Sequence, residues 1–208
     1  MKNIYLSLTS LAFMLFLIVI CPSCSKKRKE PAQPKIAEIT QAYFQDFNAH
    51  DTEKILSYFT EDIRYEVVGG FSLQQKGQVR SLLDWYAALN EKLSYDEIGV
   101  RGDTVSFKLS ENNDWLRLLG AKESIFKYAY IVFRGDSISS FKGEISAESL
   151  KGLRAPYSSF LSWAKKERKD QVDKLMPGGQ FSIGTAEALE WRNLLSEWWQ
   201  LGLSKAKE

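Results

Sequence analysis

Two hairpin units dominate the second half of this 208-residue chain. In each unit, two runs of strand-forming residues flank a Gly-Asp pair, and glycine tolerates the positive φ that a tight hairpin turn requires. The first unit joins 97–101 to 104–110 through Gly102-Asp103, and the second joins 124–134 to 137–145 through Gly135-Asp136. The run 124–134 is apolar on both faces, which is typical of a central strand covered on both sides. The pattern predicts an antiparallel sheet in this half of the chain.

The first half of the chain has helical periodicity around one predicted strand. The first helix presents Ile36, Ile39, Tyr43 and Phe47 on one face, and the third presents Val79, Leu82, Leu83, Tyr86, Leu89 and Leu93. A short second helix around residues 55–59 lies between them and is followed by an alternating strand at 62–68. A further helical turn is expected at 113–120, between the two hairpins. The predicted order of the first half is helix, helix, strand, helix.

The last 58 residues, 151–208, are predicted to form a helical extension. A helix over 158–175 precedes the breaker Pro177-Gly178-Gly179, and Thr185 is a suitable cap for a final helix. The final helix repeats Trp191, Leu194, Leu195, Trp198 and Leu201 at helical spacing. These side chains are expected to pack against the core or to cover the mouth of the sheet. Docking of a partner or a membrane face is the alternative, particularly for Trp199.

The first 23 residues have the features of a secretion signal. Lys2 precedes the uncharged apolar run 4–20, and small residues follow before a cysteine. The segment 21–25, Cys-Pro-Ser-Cys-Ser, resembles a bacterial lipoprotein box, which implies acylation of Cys24 and a lipid bilayer as partner. The expected location is the bacterial cell envelope, the outer membrane rather than the inner one, with residues 24–35 as a tether. An uncleaved anchor helix is the alternative, because the apolar run lies at the lower edge of what spans a bilayer.

Composition excludes several functional classes. The chain has 28 Lys and Arg against 26 Asp and Glu, so no strong positive field indicates nucleic acid as a partner. His50 is the single histidine, and Cys21 and Cys24 are the only cysteines, which argues against a zinc site or a disulfide framework. No glycine-rich phosphate-binding motif is present. We therefore expect neither a metal nor a cofactor.

Three stretches resemble the nuclear transport factor 2-like superfamily, in its SnoaL-like and ketosteroid-isomerase-like branch. They are AYFQDFNAHDTEKILSYFTEDIRYEV (42–67), ENNDWLRLLG (111–120) and YAYIVFRGDSISSF (128–141). The resemblance covers about 36–150. It implies an α+β cone in which three N-terminal helices pack across a curved antiparallel sheet around an apolar pocket. It also implies a possible homodimer that forms through the sheet.

The resemblance allows a residue-by-residue test for isomerase chemistry. It puts Tyr43 at the position of the oxyanion-hole tyrosine, but Val67 at the position of the catalytic base. Glu66 is adjacent, although an offset of one residue on a strand turns its carboxylate to the opposite face. Tyr43 and Glu66 are therefore the catalytic candidates, with a buried core tyrosine as the alternative interpretation of Tyr43.

The expected function is binding of a small apolar ligand or a partner in the cone, without catalysis. The pocket candidates are Tyr43, Phe47, Tyr65, Val67, Tyr86 and Trp115. One alternative is an isomerase or hydro-lyase, which would require Tyr43 to converge with a carboxylate such as Asp46, Glu66 or Asp84. The other alternative is a protein-interaction or structural module with a filled pocket.

Overall fold

The computed structural model describes residues 33–202. The predicted signal peptide, Cys24 and most of the predicted tether lie outside the described residues. The helices are α1 (Gln33–Ala49), α2 (Thr52–Ser57), α3 (Gln75–Ala88), α4 (Asp114–Leu118), α5 (Ala147–Glu167), α6 (Lys169–Leu175) and α7 (Thr185–Gln200), with a 3₁₀ turn at Pro177–Gly179. The strands are β1 (Phe59–Val68), β2 (Phe71–Gln74), β3 (Lys92–Arg101), β4 (Thr104–Asn112), β5 (Ser124–Arg134) and β6 (Ser137–Ile145). Within 33–202, no helix combines the length and the apolar character needed to cross a bilayer.

The six strands form one sheet in the order β2-β1-β6-β5-β4-β3. Helices pack on this sheet, and the predicted α+β class is confirmed. The expectation of a wholly antiparallel sheet is corrected, because β1 and β6 run parallel while the other neighbouring pairs are antiparallel. The reason is topological. Between β1 and β6 the chain passes through β2, α3, β3, β4, α4 and β5, and such a long connection permits either direction.

Register shifts bend the sheet. They interrupt the pairings β1–β6, β3–β4, β4–β5 and β5–β6, and bulges of this kind increase local curvature and twist. Gly143 on β6 allows a close approach within the curved region: a Cβ atom at this position would lie 2.7 Å from the ring of Phe126. The absence of a side chain at Gly143 is therefore a packing requirement.

Several element boundaries in the first half differ from the sequence prediction, and the differences at α3 and β2 are the largest. The stripe that ended at Leu93 predicted one continuous helix, but α3 ends at Ala88, the chain turns with Asn90 at a φ of 55°, and Leu93 lies on β3. Leu93 is an apolar residue on the inner face of a strand, and its position matches the helical spacing of α3 only by coincidence. Strand β2, which the sequence analysis did not predict, pairs with β1 after a turn at Gly69.

The starts of three helices also differ from the sequence prediction. Helix α1 begins at Gln33, inside the predicted tether. Helix α5 begins at Ala147, where the Ser146 hydroxyl accepts a hydrogen bond from the Ser149 N–H at 3.2 Å, and not at residue 158. Thr185 is the first residue of α7 and not its cap, because Gly184 occupies the cap position.

Two hydrophobic cores share α3. The first core fills the space between α1–α3 and the sheet and includes Val79, Leu82 and Leu83 of α3. The second lies among α4–α7, where Trp85 of α3 packs against it. The buried residues of the second core are Leu118, Leu119, Phe160, Ala164, Val172, Leu175, Trp191, Leu194, Leu195 and Trp198. Helix α3 therefore contacts both cores and connects the two halves of the molecule.

Candidate functional site

Five ionisable side chains converge between the helices and the inner face of the sheet. They come from separate segments: Tyr43 from α1, Tyr65 from β1, Tyr86 from α3, Glu91 from the turn before β3, and Glu111 from β4. The charges of both carboxyls influence the ionisation of Tyr65 and Tyr86, which places the groups near one another. We call these five residues the interior cluster.

Local periodicity aims these side chains inward. Tyr65 and Val67 share the buried side of β1, because successive strand residues alternate between the two faces. Tyr43 lies on the buried stripe of α1 and has no exposed surface. Glu111 lies opposite Ser124 in the β4–β5 register, close to the end of β4.

Glu91 and Glu111 form a buried carboxyl pair. Burial raises the pKa of Glu91 well above the ordinary carboxyl range, and the negative charge of Glu111 adds to this rise against a hydrogen bond from Asn113. Burial also raises the pKa of Glu111 to about 7, although the Glu91 and Ser124 side chains oppose the rise. Two close carboxyls in a low-dielectric interior do not both ionise, so the pair keeps at least one proton near neutral pH.

Asn113 fixes the position of Glu91. Its Nδ2 donates a hydrogen bond to Oε2 of Glu91, while its Oδ1 accepts the Leu116 N–H at 2.7 Å as the N-cap of α4. The other oxygen of Glu91, Oε1, has no donor among the described residues. A proton held between Glu91 and Glu111 supplies the missing partner.

The three tyrosines keep their protons at neutral pH. Burial is the largest cause of the raised pKa of Tyr43, Tyr65 and Tyr86, and neighbouring negative charges add to the rise for Tyr65 and Tyr86. Tyr65 is close enough to influence Tyr43, but the Tyr43 hydroxyl makes no hydrogen bond to any described residue. A fully buried hydroxyl without a partner costs about 1–3 kcal/mol, unless a bound molecule or water satisfies it.

Tyr86 and Glu111 lie at the partly exposed side of the cluster. Both side chains are largely surrounded by protein, yet each retains some accessible surface. Phe47 belongs to the apolar wall, because its ring lies 5.8 Å from that of Tyr86 and 6.1 Å from that of Tyr43. The site therefore combines an apolar wall with hydroxyl and carboxyl groups.

Comparison with solved structures identifies the architecture. An LEH-like epoxide hydrolase from M. tuberculosis aligns with a TM-score of 0.51 at 13% identity, over 64% of this chain and 98% of that one. SalBIII, an epoxide hydrolase/cyclase-like enzyme of pyran ring formation in the polyether salinomycin, aligns with a TM-score of 0.50 at 16% identity, over 56% and 94%. A nuclear transport factor 2-like protein of unknown function from Cytophaga hutchinsonii aligns with a TM-score of 0.46 at 9% identity, over 56% and 94%.

The chain has the nuclear transport factor 2-like fold. This confirms the fold that the sequence resemblance implied. The two structures with the higher scores are aligned over nearly their whole length but over less than two thirds of this chain. No family model matches the sequence, and no curated protein matches it.

Most of the predicted pocket residues lie at the inner side of the nuclear transport factor 2-like sheet. Tyr43, Phe47, Tyr65 and Val67 are buried in the first core, and Tyr86 packs against it. Trp115 lies elsewhere, in the second core, with its ring 5.8 Å from that of Trp191 and 6.3 Å from that of Tyr157. The helical turn that contains Trp115 points it toward α5 and α7 and away from the sheet.

The carboxylates named as partners for Tyr43 are engaged at other places in the fold. Glu66 lies on the outer face of the sheet, 3.1 Å from Nζ of Lys142. Asp84 accepts the Thr52 hydroxyl at 3.0 Å.

Asp46 also has other partners, since it accepts hydrogen bonds from Lys54 Nζ at 2.7 Å and the Tyr58 hydroxyl at 2.6 Å. Burial opposes the ionisation of Asp46, but these two bonds outweigh it and hold its pKa below the ordinary value. Asp46 is therefore an ionised structural anchor between α1 and α2. This role is separate from the interior cluster.

The sequence analysis did not identify Glu91 or Glu111. A signal for Glu111 was present, because the alternation of Val105, Phe107 and Leu109 continues to position 111 and puts its side chain on the inner face. Glu91 lies in a turn, where no periodicity indicates a direction. Within 33–202, no three His, Cys, Asp or Glu side chains are arranged to hold a metal ion.

Proposed function

We propose that the cone binds a small, mostly apolar molecule that carries an oxygen group. The observation behind this proposal is the interior cluster: hydroxyl and carboxyl groups surrounded by aromatic and aliphatic side chains, with the Tyr43 hydroxyl unpartnered. An apolar wall supplies the free energy of binding, and a few polar groups fix the orientation of the ligand. The Tyr43 hydroxyl would donate to the ligand oxygen.

A second candidate function is proton-transfer catalysis, and the carboxyl pair favours it. A carboxyl with a pKa of about 7, as for Glu111, exists in both protonation states near neutral pH. Ionised Glu111 would take a proton from a carbon next to a carbonyl group, and the protonated tyrosines would stabilise the oxygen that becomes negative. The aligned solved structures include an epoxide hydrolase and a hydrolase/cyclase-like enzyme, which shows that this fold hosts enzymes.

The carboxyl pair changes the balance between the two functions. Binding without catalysis was expected because the sequence offered no convincing acid–base pair. Glu91 and Glu111 form such a pair close to Tyr86, and carboxyls with strongly perturbed pKa values are frequent at active sites. Non-catalytic binding nevertheless stays a proposal, because a hydrogen-bonding site for an oxygen needs the same groups.

Binding can be tested with 2-naphthol, an apolar fluorescent molecule with one hydroxyl group. We expect saturable binding by the wild type and about tenfold weaker binding by Tyr43→Phe, since one buried hydrogen bond is lost. Glu66→Gln is the matched control, because Glu66 lies on the outer face of the sheet. Absence of saturable binding to the wild type, or an equal loss in Glu66→Gln, would overturn the binding proposal.

Catalysis can be tested with 2-tetralone, a ketone whose α-hydrogens exchange with solvent. In D₂O, NMR would show exchange above the buffer rate for the wild type and Glu66→Gln, and no enhancement for Glu111→Gln. If 2-tetralone binds but the wild type gives no enhancement, the non-catalytic function is supported. Enhancement that persists in Glu111→Gln would exclude Glu111 as the base.

Native mass spectrometry of residues 25–208 tests the interaction-module alternative. A small added mass that disappears on denaturation indicates a co-purified ligand and supports the binding proposal. A stable homodimer without any added mass supports the protein-interaction alternative instead.

We further propose that the protein is anchored in the bacterial cell envelope through Cys24. The support is the sequence 21–25 and the apolar run before it. In cells fed with labelled palmitate, the label should be lost in Cys24→Ser and retained in the matched control Cys21→Ser. Retention of the label in Cys24→Ser would contradict the proposal.

A further inference from the structure

We propose that Arg192 of α7 is a positioning residue that holds Glu91 beside Glu111. This assigns a role in the site to the C-terminal helices, which lie outside the predicted cone domain. The inference deepens the proposed function and rests on the interior cluster as the site.

Arg192 contacts both segments that hold Glu91. Its Nη1 donates to the Ala88 carbonyl at the end of α3 at 3.2 Å and approaches Oδ2 of Asp114, the first residue of α4, at 3.4 Å. Glu91 is three residues beyond Ala88, and Asn113, which binds the Glu91 carboxyl, immediately precedes Asp114. One guanidinium group therefore connects the end of α3 to the start of α4.

Further hydrogen bonds make this corner a continuous network. Nδ2 of Asn90 donates to the same Oδ2 of Asp114 at 2.7 Å, and the Asp114 N–H donates to the Leu89 carbonyl at 2.9 Å. The Glu91 N–H donates to the Tyr86 carbonyl at 2.9 Å. The backbone of Glu91 is thus fixed by α3, and its carboxyl is fixed by Asn113 of the segment that Arg192 holds.

Burial makes this arrangement effective. The Asp114 side chain is 18% exposed and that of Arg192 is 33% exposed, so solvent screens their interaction only in part. Arg192 is also held by α7, whose Trp191, Leu194 and Leu195 are buried in the second core. A rigid helix therefore presents the guanidinium group at a fixed distance from the corner.

Each element packed against the carboxyl pair contributes one polar side chain to its surroundings. These side chains are Tyr43 on α1, Tyr65 on β1, Tyr86 on α3, Asn113 before α4 and Ser124 on β5. Lys92 follows Glu91 in the chain, but its Nζ donates to the Asn48 carbonyl. Arg192 itself does not touch the pair, so its effect on the pair must act through the positions of Glu91 and Asn113.

The test compares Arg192→Met with Arg168→Met. Arg168 also pairs with α7, through Glu197, but within the described residues its side chain donates hydrogen bonds to Glu197 and Glu167 and not to α3 or α4. In ¹³C-glutamate-labelled protein, the side-chain carboxyl resonance of Glu111, assigned by its loss in Glu111→Gln, reports ionisation without any ligand. Arg192→Met should shift the pKa of Glu111, because a displaced Glu91 no longer lowers it by hydrogen bonding and the water that enters reduces the effect of burial. Arg168→Met should leave it unchanged.

Arg192→Lys provides the rescue. A lysine keeps a donor for the Ala88 carbonyl and should restore most of the wild-type titration of Glu111. If Arg192 served only to stabilise the fold, the change in the Glu111 titration would instead follow the loss of stability in all three variants. Where 2-naphthol binds, Arg192→Met should weaken its binding by about tenfold. An unchanged Glu111 titration in Arg192→Met, or an equal change in Arg168→Met, would overturn the inference. Failure of 2-naphthol to bind the wild type would overturn the proposed function alone, since the titration needs no ligand.

Discussion

At Glu111, two effects act on one carboxyl. Burial favours the neutral form, while the neighbouring side chains of Glu91 and Ser124 favour the charged form, and burial prevails with a pKa of about 7. Glu91 is buried more deeply, and within 33–202 Asn113 is the one side chain outside the pair that donates a hydrogen bond to its carboxyl group. A protein gains no stability at neutral pH from such a pair, because desolvation of the charge outweighs the bonds that are formed. A function in binding or proton transfer accounts for the pair better than a structural role does.

The first prediction concerns the pH dependence of stability. Glu111 titrates near 4.5 in the unfolded chain and at about 7 in the folded protein, so the folded form binds the proton more tightly. Its stabilising contribution is therefore complete below about pH 4.5 and is lost as the pH rises through about 7, a total on the order of 3 kcal/mol. Urea unfolding from pH 4.5 to pH 8 should show a smaller loss in Glu111→Gln than in the wild type, because the buried Glu91, whose pKa is also raised, contributes a loss of the same sign in both proteins.

Glu66→Gln is the control for this measurement. Carboxylates with a lowered pKa, such as Asp46, have the opposite dependence and lose stabilisation at low pH, so the informative quantity is the difference between wild type and variant. Equal pH profiles for the wild type and Glu111→Gln would show that Glu111 titrates normally in the folded protein.

At the scale of elements, the curved sheet depends on close approaches that only small residues permit. Gly143 on β6 lies between Val67 of β1 and Ala129 of β5 in the register, and the ring of Phe126 covers it. The bend keeps the inner faces of β1 and β4 turned toward the helices. Tyr65 and Glu111 both depend on that geometry.

The second prediction is that Gly143→Ala lowers the free energy of unfolding by about 1–3 kcal/mol. The added methyl group would overlap the buried Phe126 ring, which has to move out of its place in the first core. Chemical denaturation measures the loss. Gly77→Ala is the control, because it lies in helix α3 with no atom within 4 Å of an added Cβ, and should preserve or raise stability. A neutral Gly143→Ala would show that Phe126 has room to move.

At the scale of the whole molecule, two cores behave as one cooperative unit if α3 transmits the coupling. Val79, Leu82 and Leu83 belong to the first core, and Trp85 on the same helix packs against the second. Arg192 adds a polar connection at the end of that helix. Local unfolding of either core would expose apolar surface of α3.

The third prediction uses the distribution of tryptophans as a probe. Trp85, Trp115, Trp163, Trp191 and Trp198 all lie in or against the second core, so tryptophan fluorescence reports that core. Phe160→Ala, a substitution in the second core, should lower stability by about 3–5 kcal/mol. During unfolding by denaturant, the loss of tryptophan fluorescence and the loss of hydrogen-exchange protection at the β5 amides should still occur at the same denaturant concentration.

Leu150→Ala is the matched control for Phe160→Ala. The Leu150 side chain is 53% exposed on α5, so its truncation should change stability little. Separate transitions for the two probes in Phe160→Ala would show that the cores fold independently and that α3 does not couple them.

Local patterns in the sequence predict the helices and strands and the faces that they bury. Alternation around Gly102-Asp103 and Gly135-Asp136 gave both hairpins, and helical spacing put Tyr43 and Phe47 on a buried face. These signals are local, because the periods of helices and strands repeat within a few residues. The alternation of β4 extends to Glu111, so the inward direction of its side chain could be predicted from the sequence.

Which inward-facing side chains meet depends on how distant segments pack together. The parallel pairing of β1 with β6, the separation of Trp115 from the sheet and the contact of Glu91 with Asn113 depend on segments far apart in the chain. Long-range contacts follow from how curved and amphipathic elements pack together, and no local period encodes that packing. For this reason the tyrosines were predictable as buried residues, whereas the carboxyl pair between them required the fold.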